Sequence, residues 1–130
     1  MTRAAIYLWT LPTTALGLLV ALLSLPTGGR FRIVCGVLEI HGGFAGFLLR
    51  RLVPLAGGAS AMTLGHVVLG RSAVLLDMTR NHERVHVHQA ERWGPLFLPI
   101  YLLFSLNAWL RGRDPYRDNP FEREAFERTA

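Results

Sequence analysis

The stretch that decides the fold reads Asp77-Met78-Thr79-Arg80-Asn81-His82-Glu83-Arg84-Val85-His86-Val87-His88-Gln89-Ala90-Glu91-Arg92-Trp93-Gly94-Pro95. Val74, Met78, His82, Val85, His86, Gln89 and Trp93 follow one another at three and four residues, so they share one face of a helix. Ser72, Asp77 and Thr79 are each able to cap its start, and Gly94-Pro95 ends it. Inside the helix, His82 to His86 spells H-E-x-x-H. Imidazoles at i and i+4 stand one turn apart on one face and can share a tetrahedral zinc. Glu83 then sits at the rim, where a carboxylate can take a proton from the attacking water and hand it to a leaving amine. Two imidazoles on an apolar face also call for a partner, because burying polar rings without one is unfavourable. His88 is six residues from His82, points away from the pair and is expected in solvent.

A catalytic zinc needs a third protein ligand and an open position. The chain has one cysteine, Cys35, so neither a cysteine knuckle nor an intramolecular disulfide can form, and Cys35 is expected as a small buried hydrophobe. Gln89 and Arg92 stand where the longer H-E-x-x-H-x-x-G-x-x-H pattern needs glycine and histidine. That leaves His41 or His66 arriving from a sheet, or a carboxylate on a later helix. Asn119-Pro120 begins such a helix, with asparagine as cap and proline at its first position. Glu122 and Glu124 diverge on it, and Phe121, Ala125 and Phe126 mark a buried face that lies nearest Glu122. Glu122 is therefore the expected third ligand, with Glu124 as the other register.

Outward from the metal helix, Ala61 to Leu69 alternates and reads as a strand ending at Gly70, and Phe31 to His41 reads as a strand running into Gly42-Gly43. Phe44 to Leu55 reads as a returning strand or a short helix, closed by Pro54 and Gly57-Gly58. The expected class is α+β, a short sheet packed on the H-E-x-x-H helix. Ala4 to Leu25 carries no charge and is long enough to cross a bilayer despite Pro12. Residues 1–29 thus read as a membrane anchor and linker, and 30–130 as the metal-binding domain. Arg30 and Arg32 outweigh Arg3, which places the C-terminal side in the cytoplasm. Leu96 to Leu110 is apolar but short for a crossing, and reads as a buried or interfacial helix that covers the site or touches the membrane.

With 130 residues, half of them apolar, the chain has room for one small fold. Its net charge of +5 comes from arginines alone, set singly or in pairs such as Arg50-Arg51 and Arg111 with Arg113. No helical face interleaves them with exposed aromatics, so a nucleic-acid partner is not expected.

H-E-x-x-H followed by Glu122-Arg123-Glu124-Ala125 resembles the gluzincin metallopeptidases, including membrane-bound ones, whose third ligand opens a Glu-x-x-Ala-Asp segment. The chain is also similar to the minigluzincins and to uncharacterised bacterial proteins carrying His-Glu-x-x-His-x-x-Gln, matched by His82 to Gln89. The resemblance spans about residues 60 to 127. It implies zinc held by His82, His86 and Glu122, Glu83 as general base, and a peptide or protein substrate paired along the strand Ala61 to Leu69. Phe126 occupies the family's Asp position, so the hydrogen bond that Asp gives a ligand histidine has no counterpart there. The function expected is a zinc-dependent, membrane-associated peptidase. The alternative is a non-catalytic membrane protein in which a structural zinc clamps the C-terminal tail to the metal helix. His66, Tyr101 and Tyr116 are candidate oxyanion donors, against a satisfied core histidine and packed aromatics.

Overall fold

A computed structural model describes residues 2–53 and 58–130. Its four-stranded sheet comes from two hairpins, where single strands were expected. Phe31 to His41 divides into β1 (Arg30–Val34) and β2 (Val37–His41), antiparallel about Cys35-Gly36. Both turn residues have positive φ, +50° and +78°, as a type I′ turn requires. Ala61 to Leu69 divides in the same way into β3 (Ala61–Leu64) and β4 (Val67–Gly70) about Gly65, whose φ is +64°. The second hairpin joins the first through a parallel β2–β4 pairing, giving the order β1-β2-β4-β3 with β3 at an edge. Between the hairpins runs α2 (Gly43–Phe47), which continues into a π-helical turn, Leu48–Leu52. The helical alternative for Phe44 onward is the one adopted. Pro54 and Gly57 of the expected break lie outside the described residues.

Period-two alternation sends one face of the sheet to each side. Ile40, Leu64, Val67 and Leu69 pack with Ala45 and Leu49 and with Ala21 of the first helix, α1 (Arg3–Ser24). Val37 and Val68 pack on the other side against Leu76 and Val87 of α3 (Ala73–Trp93). Each such aliphatic side chain taken out of water contributes roughly 1.5–3 kcal/mol. Glu39 and Thr63 share the α3-facing side, which makes that layer partly polar.

Ser72 caps α3 by accepting the Leu75 amide, and Gly94 closes it with φ +58°. A side chain at Gly94 would collide with the Trp9 ring, so this residue also lets α1 dock against the end of α3. The buried stripe of α3 differs from the expected one. Val74 and Met78 are 65% and 75% exposed, while Leu76, Glu83, His86, Val87, Gln89 and Ala90 are buried. The inward face is rotated because a carboxylate occupies a position that periodicity assigns to solvent. His88 is exposed as expected, whereas Cys35 is exposed in its turn. After a short 3₁₀ turn come α4 (Phe97–Leu110) and α5 (Pro120–Thr129), the latter lying along α3.

The buried face of α1 is small and hydroxylated: Thr10, Thr13, Thr14, Gly17, Ala21 and Ser24. Gly17 lets the helix approach β4 so closely that a Cβ there would sit 2.6 Å from the Val67 Cβ. Leu8, Leu11, Leu16, Leu19, Leu22 and Leu23 of α1 point outward, as do Leu102, Leu103, Leu106 and Leu110 of α4. By length and composition, two helical stretches are apolar enough to cross a membrane, Arg3–Thr27 and Ala73–Leu110. The second owes this to α4, because α3 carries Asp77, Arg80, Glu83, Arg84, Glu91 and Arg92.

Candidate metal centre

His82 and His86 stand one turn apart on α3 with ring centroids 5.0 Å apart. The third partner comes from α5, whose start is fixed by Asn119. The Oδ1 of Asn119 accepts the Phe121 amide, while its Nδ2 donates to Tyr101 O and Ser105 Oγ, tying the helix to α4. Glu122 follows in the first turn. Its Oε1 accepts from His82 Nε2 at 2.9 Å and His86 Nε2 at 3.0 Å, and its Oε2 accepts from the Tyr101 hydroxyl at 2.5 Å. Ligand atoms of His82, His86 and Glu122 all lie within 4.8 Å of one another, so this trio could hold a metal ion.

Gln89 fixes the orientation of His86. Its Nε2 donates to Phe121 O at 2.9 Å and to Glu124 Oε1 at 2.8 Å, which leaves Oε1 to accept from His86 Nδ1 at 2.8 Å. His86 therefore carries a proton on Nδ1 and turns Nε2 toward Glu122. The support expected from an Asp at position 126 is supplied to His86 by Gln89, one turn along α3 itself. Phe126 packs its ring against His82, with centroids 4.6 Å apart. Glu124, the alternative third ligand, faces Gln89 instead.

Glu83 is buried beside this cluster, its Oε2 accepting from Thr63 Oγ1 at 2.6 Å. Burial pushes its carboxyl above the ordinary range, outweighing the neighbouring histidines and the Thr63 hydrogen bond. Burial acts on Glu122 in the same direction, but the hydrogen bonds from His82 and His86 and the charge of His86 prevail and hold it at about 2. For His86, burial favours the neutral ring, and the Glu122 hydrogen bond with the Glu122 and Glu83 charges overcomes it, raising the ring to about 9. Burial and the charges of Glu122 and Glu83 raise the Tyr116 hydroxyl, which keeps it protonated. Two imidazole nitrogens aimed at one carboxylate oxygen need either a proton on each or a cation among the three. The donor set fits a divalent cation that accepts nitrogen and oxygen ligands.

A cleft of about 210 Å³ opens at this point between the β3 edge and α4, with Thr63, Glu83, His86 and Glu122 at its polar end. The structure places His66 elsewhere: buried at the β3–β4 turn, stacked on Tyr7 at 4.1 Å, with Nε2 2.7 Å from Glu91 Oε2. His41 ends β2 and is not part of the metal-ligand trio. Three residues gain roles that the sequence left open. Gln89 could be found from its three-residue spacing to His86, whereas Thr63 becomes visible only once the second hairpin is known. Tyr101, a candidate oxyanion donor, spends its hydroxyl on Glu122. The chain matches no known protein family, no curated protein and no solved structure.

Proposed function

We propose that the protein is a membrane-anchored, zinc-dependent metallohydrolase with a small zincin-like fold, and that its reaction is cleavage of a peptide bond. The observation that carries this reading is the convergence of His82, His86 and Glu122, with the buried Glu83 beside them and with Glu83, His86 and Glu122 at the polar end of one cleft. His82 Nε2 and His86 Nε2 stand 2.9 and 3.0 Å from Glu122 Oε1, so these three side chains would hold a zinc ion between them through two nitrogens and an oxygen.

Zinc held by this trio would polarise a scissile carbonyl and make a neighbouring water acidic. Glu83, its affinity for protons raised by burial, takes the proton of the attacking water and returns it to the departing amine. Tyr101 holds Glu122 in its ligand orientation, and the Tyr116 hydroxyl lining the cleft stays protonated as a donor to the developing oxyanion. The open edge of β3 offers backbone groups to an extended peptide. The outward leucines and small inward face of α1 suit a membrane helix packed on protein, and the flanking arginines put the C-terminal side in the cytoplasm.

Metal analysis and peptide cleavage test this together. Wild type and Glu83→Gln should hold about one zinc per chain, and His82→Ala and Glu122→Ala should not. Cleavage of a peptide library should occur with wild type and vanish in Glu83→Gln. Zinc bound without any cleavage would favour the rival reading, a structural zinc clamping α5 to α3. Absence of zinc from wild type would overturn both.

A further inference from the structure

We propose that the cleft opens onto the lipid-facing surface and takes its substrate from the bilayer, as an apolar peptide segment lying in the membrane. The word substrate rests on the hydrolase reading above, but the placement of the cleft does not.

Beyond its polar end, the cavity walls are hydrocarbon: Val53, Met62, Leu64, Leu98 and Leu102. Leu102 joins two surfaces, since it is a wall of the cavity and, at 57% exposure, part of the outward apolar face of α4 with Leu103 and Leu106. Leu98, one turn earlier, packs on the cluster that Ala21 and Val20 of α1 help to build. The cleft mouth therefore lies in the outward leucine face of α4, and Leu98 ties that helix to the core on which leucine-faced α1 is packed. Water is a poor medium for such a mouth, because exposed apolar area of this extent is unfavourable unless something apolar covers it. The occupant that also explains α1 is the bilayer. That helix has 22 residues, buries threonine, glycine and alanine, and presents its leucines outward, opposite to a water-facing helix. At 210 Å³ the cavity is smaller than the 300–1,000 Å³ sites that enclose whole small molecules, so it suits one large apolar side chain beside the bond at the polar end.

The test needs no catalysis. In a Cys35→Ser background, a nitroxide is attached at Leu102→Cys or at the exposed α3 position Met78→Cys. The full chain is then reconstituted in phosphatidylcholine–phosphatidylglycerol vesicles. Electron paramagnetic resonance compares the label's access to oxygen, which partitions into lipid, with its access to a polar nickel chelate. The expected result is oxygen-dominated relaxation at position 102 and nickel-dominated relaxation at 78, a severalfold reversal of the ratio. Nickel-dominated relaxation at both positions overturns the proposal and leaves the hydrolase reading intact. Oxygen-dominated relaxation at 102 in a protein that cleaves no peptide sinks the hydrolase reading alone.

Discussion

Two carboxylates are buried against α3, and they are neutralised by different chemistry. Glu39 on β2 accepts from Arg32 Nε at 3.2 Å, from Arg80 Nε and Nη2 at 2.9 and 2.8 Å, and from Arg84 Nη2 at 3.0 Å. Arg80 and Arg32 also reach Asp77. Glu122 on α5 accepts instead from two imidazoles and a phenol. A guanidinium keeps its proton at any physiological pH, whereas an imidazole can release one and present a lone pair. The arginine cage is a fixed brace between sheet and helix. The histidine cluster is an ion pair whose cation can be exchanged, which is what a metal centre requires.

The sharpest way to break this contrast is to neutralise each carboxylate in turn. Glu39→Gln leaves three guanidiniums without their anion and should cost about 3 kcal/mol of stability, the low end for a broken buried pair because the arginines keep some water. Glu122→Gln in metal-free protein should cost only about 1 kcal/mol when the two are compared above pH 9, where His86 has already lost its proton and no buried cation is left behind. Chemical denaturation in a single detergent compares the two, and equal losses would end the distinction.

Next in size is the support behind His86. Gln89→Leu removes the acceptor for Nδ1 and frees the ring to turn, which should weaken zinc binding ten- to a hundredfold, about 1.4–2.7 kcal/mol. Competition against a chromophoric chelator reads this directly. Unchanged affinity would mean that packing against Phe97 and Tyr101 suffices to hold the ring.

How much of this was legible beforehand follows the same division. Local chemistry was readable: the Ser72 and Asn119 caps, the Gly94 stop and the four-residue histidine spacing depend on neighbours in the chain. Both hairpins were hidden, because the alternation runs across Val34-Cys35-Gly36-Val37 and Leu64-Gly65-His66-Val67 as though each were one strand. Each two-residue turn shifts the side-chain phase by one position, but the turns themselves carry residues that fit an alternating strand, and only the positive φ values at Cys35, Gly36 and Gly65 reveal the reversal. The inward face of α3 departs from its apolar period for a tertiary reason. Its buried polar members meet Thr63 and α5, segments far off in sequence, and no period of apolar residues records such partners. The Glu39 cage was hidden for the same reason, its arginines coming from two separate segments.

Acidity sharpens the contrast further. His86 is raised from 6.5 to about 9, so its contribution to metal-free stability is complete below pH 6.5 and lost as pH rises through about 9. Glu122 is lowered from 4.5 to about 2, so its contribution is complete above pH 4.5 and lost as pH falls toward about 2. The metal-free cluster therefore stabilises the fold most between pH 4.5 and 6.5. A metal must displace the His86 proton, so apparent zinc affinity should climb about tenfold per pH unit, about 1.4 kcal/mol, and level off near 9. The Glu39 cage has no group that titrates across this window, since its arginines hold the carboxyl below its ordinary range. Zinc titrations at several pH values on wild type check the slope, and a flat profile would mean that His86 is already neutral in the metal-free protein.

The smallest effect concerns Glu83, which lies between the two cases. Like Glu39 it is buried against the α3-facing side of the sheet, but among the described residues its one hydrogen-bond donor is the neutral Thr63 hydroxyl. Thr63→Val keeps the shape and removes that donor, at a cost of about 1 kcal/mol. Because the hydrogen bond favours the charged form, its loss should also raise the Glu83 carboxyl further. The acidic limb of the pH–rate profile for peptide cleavage should then move upward while zinc content stays at the wild-type level. A limb that does not move would show that the profile reports some group other than Glu83. A loss of zinc in Thr63→Val would show that Thr63 braces the ligands rather than the base.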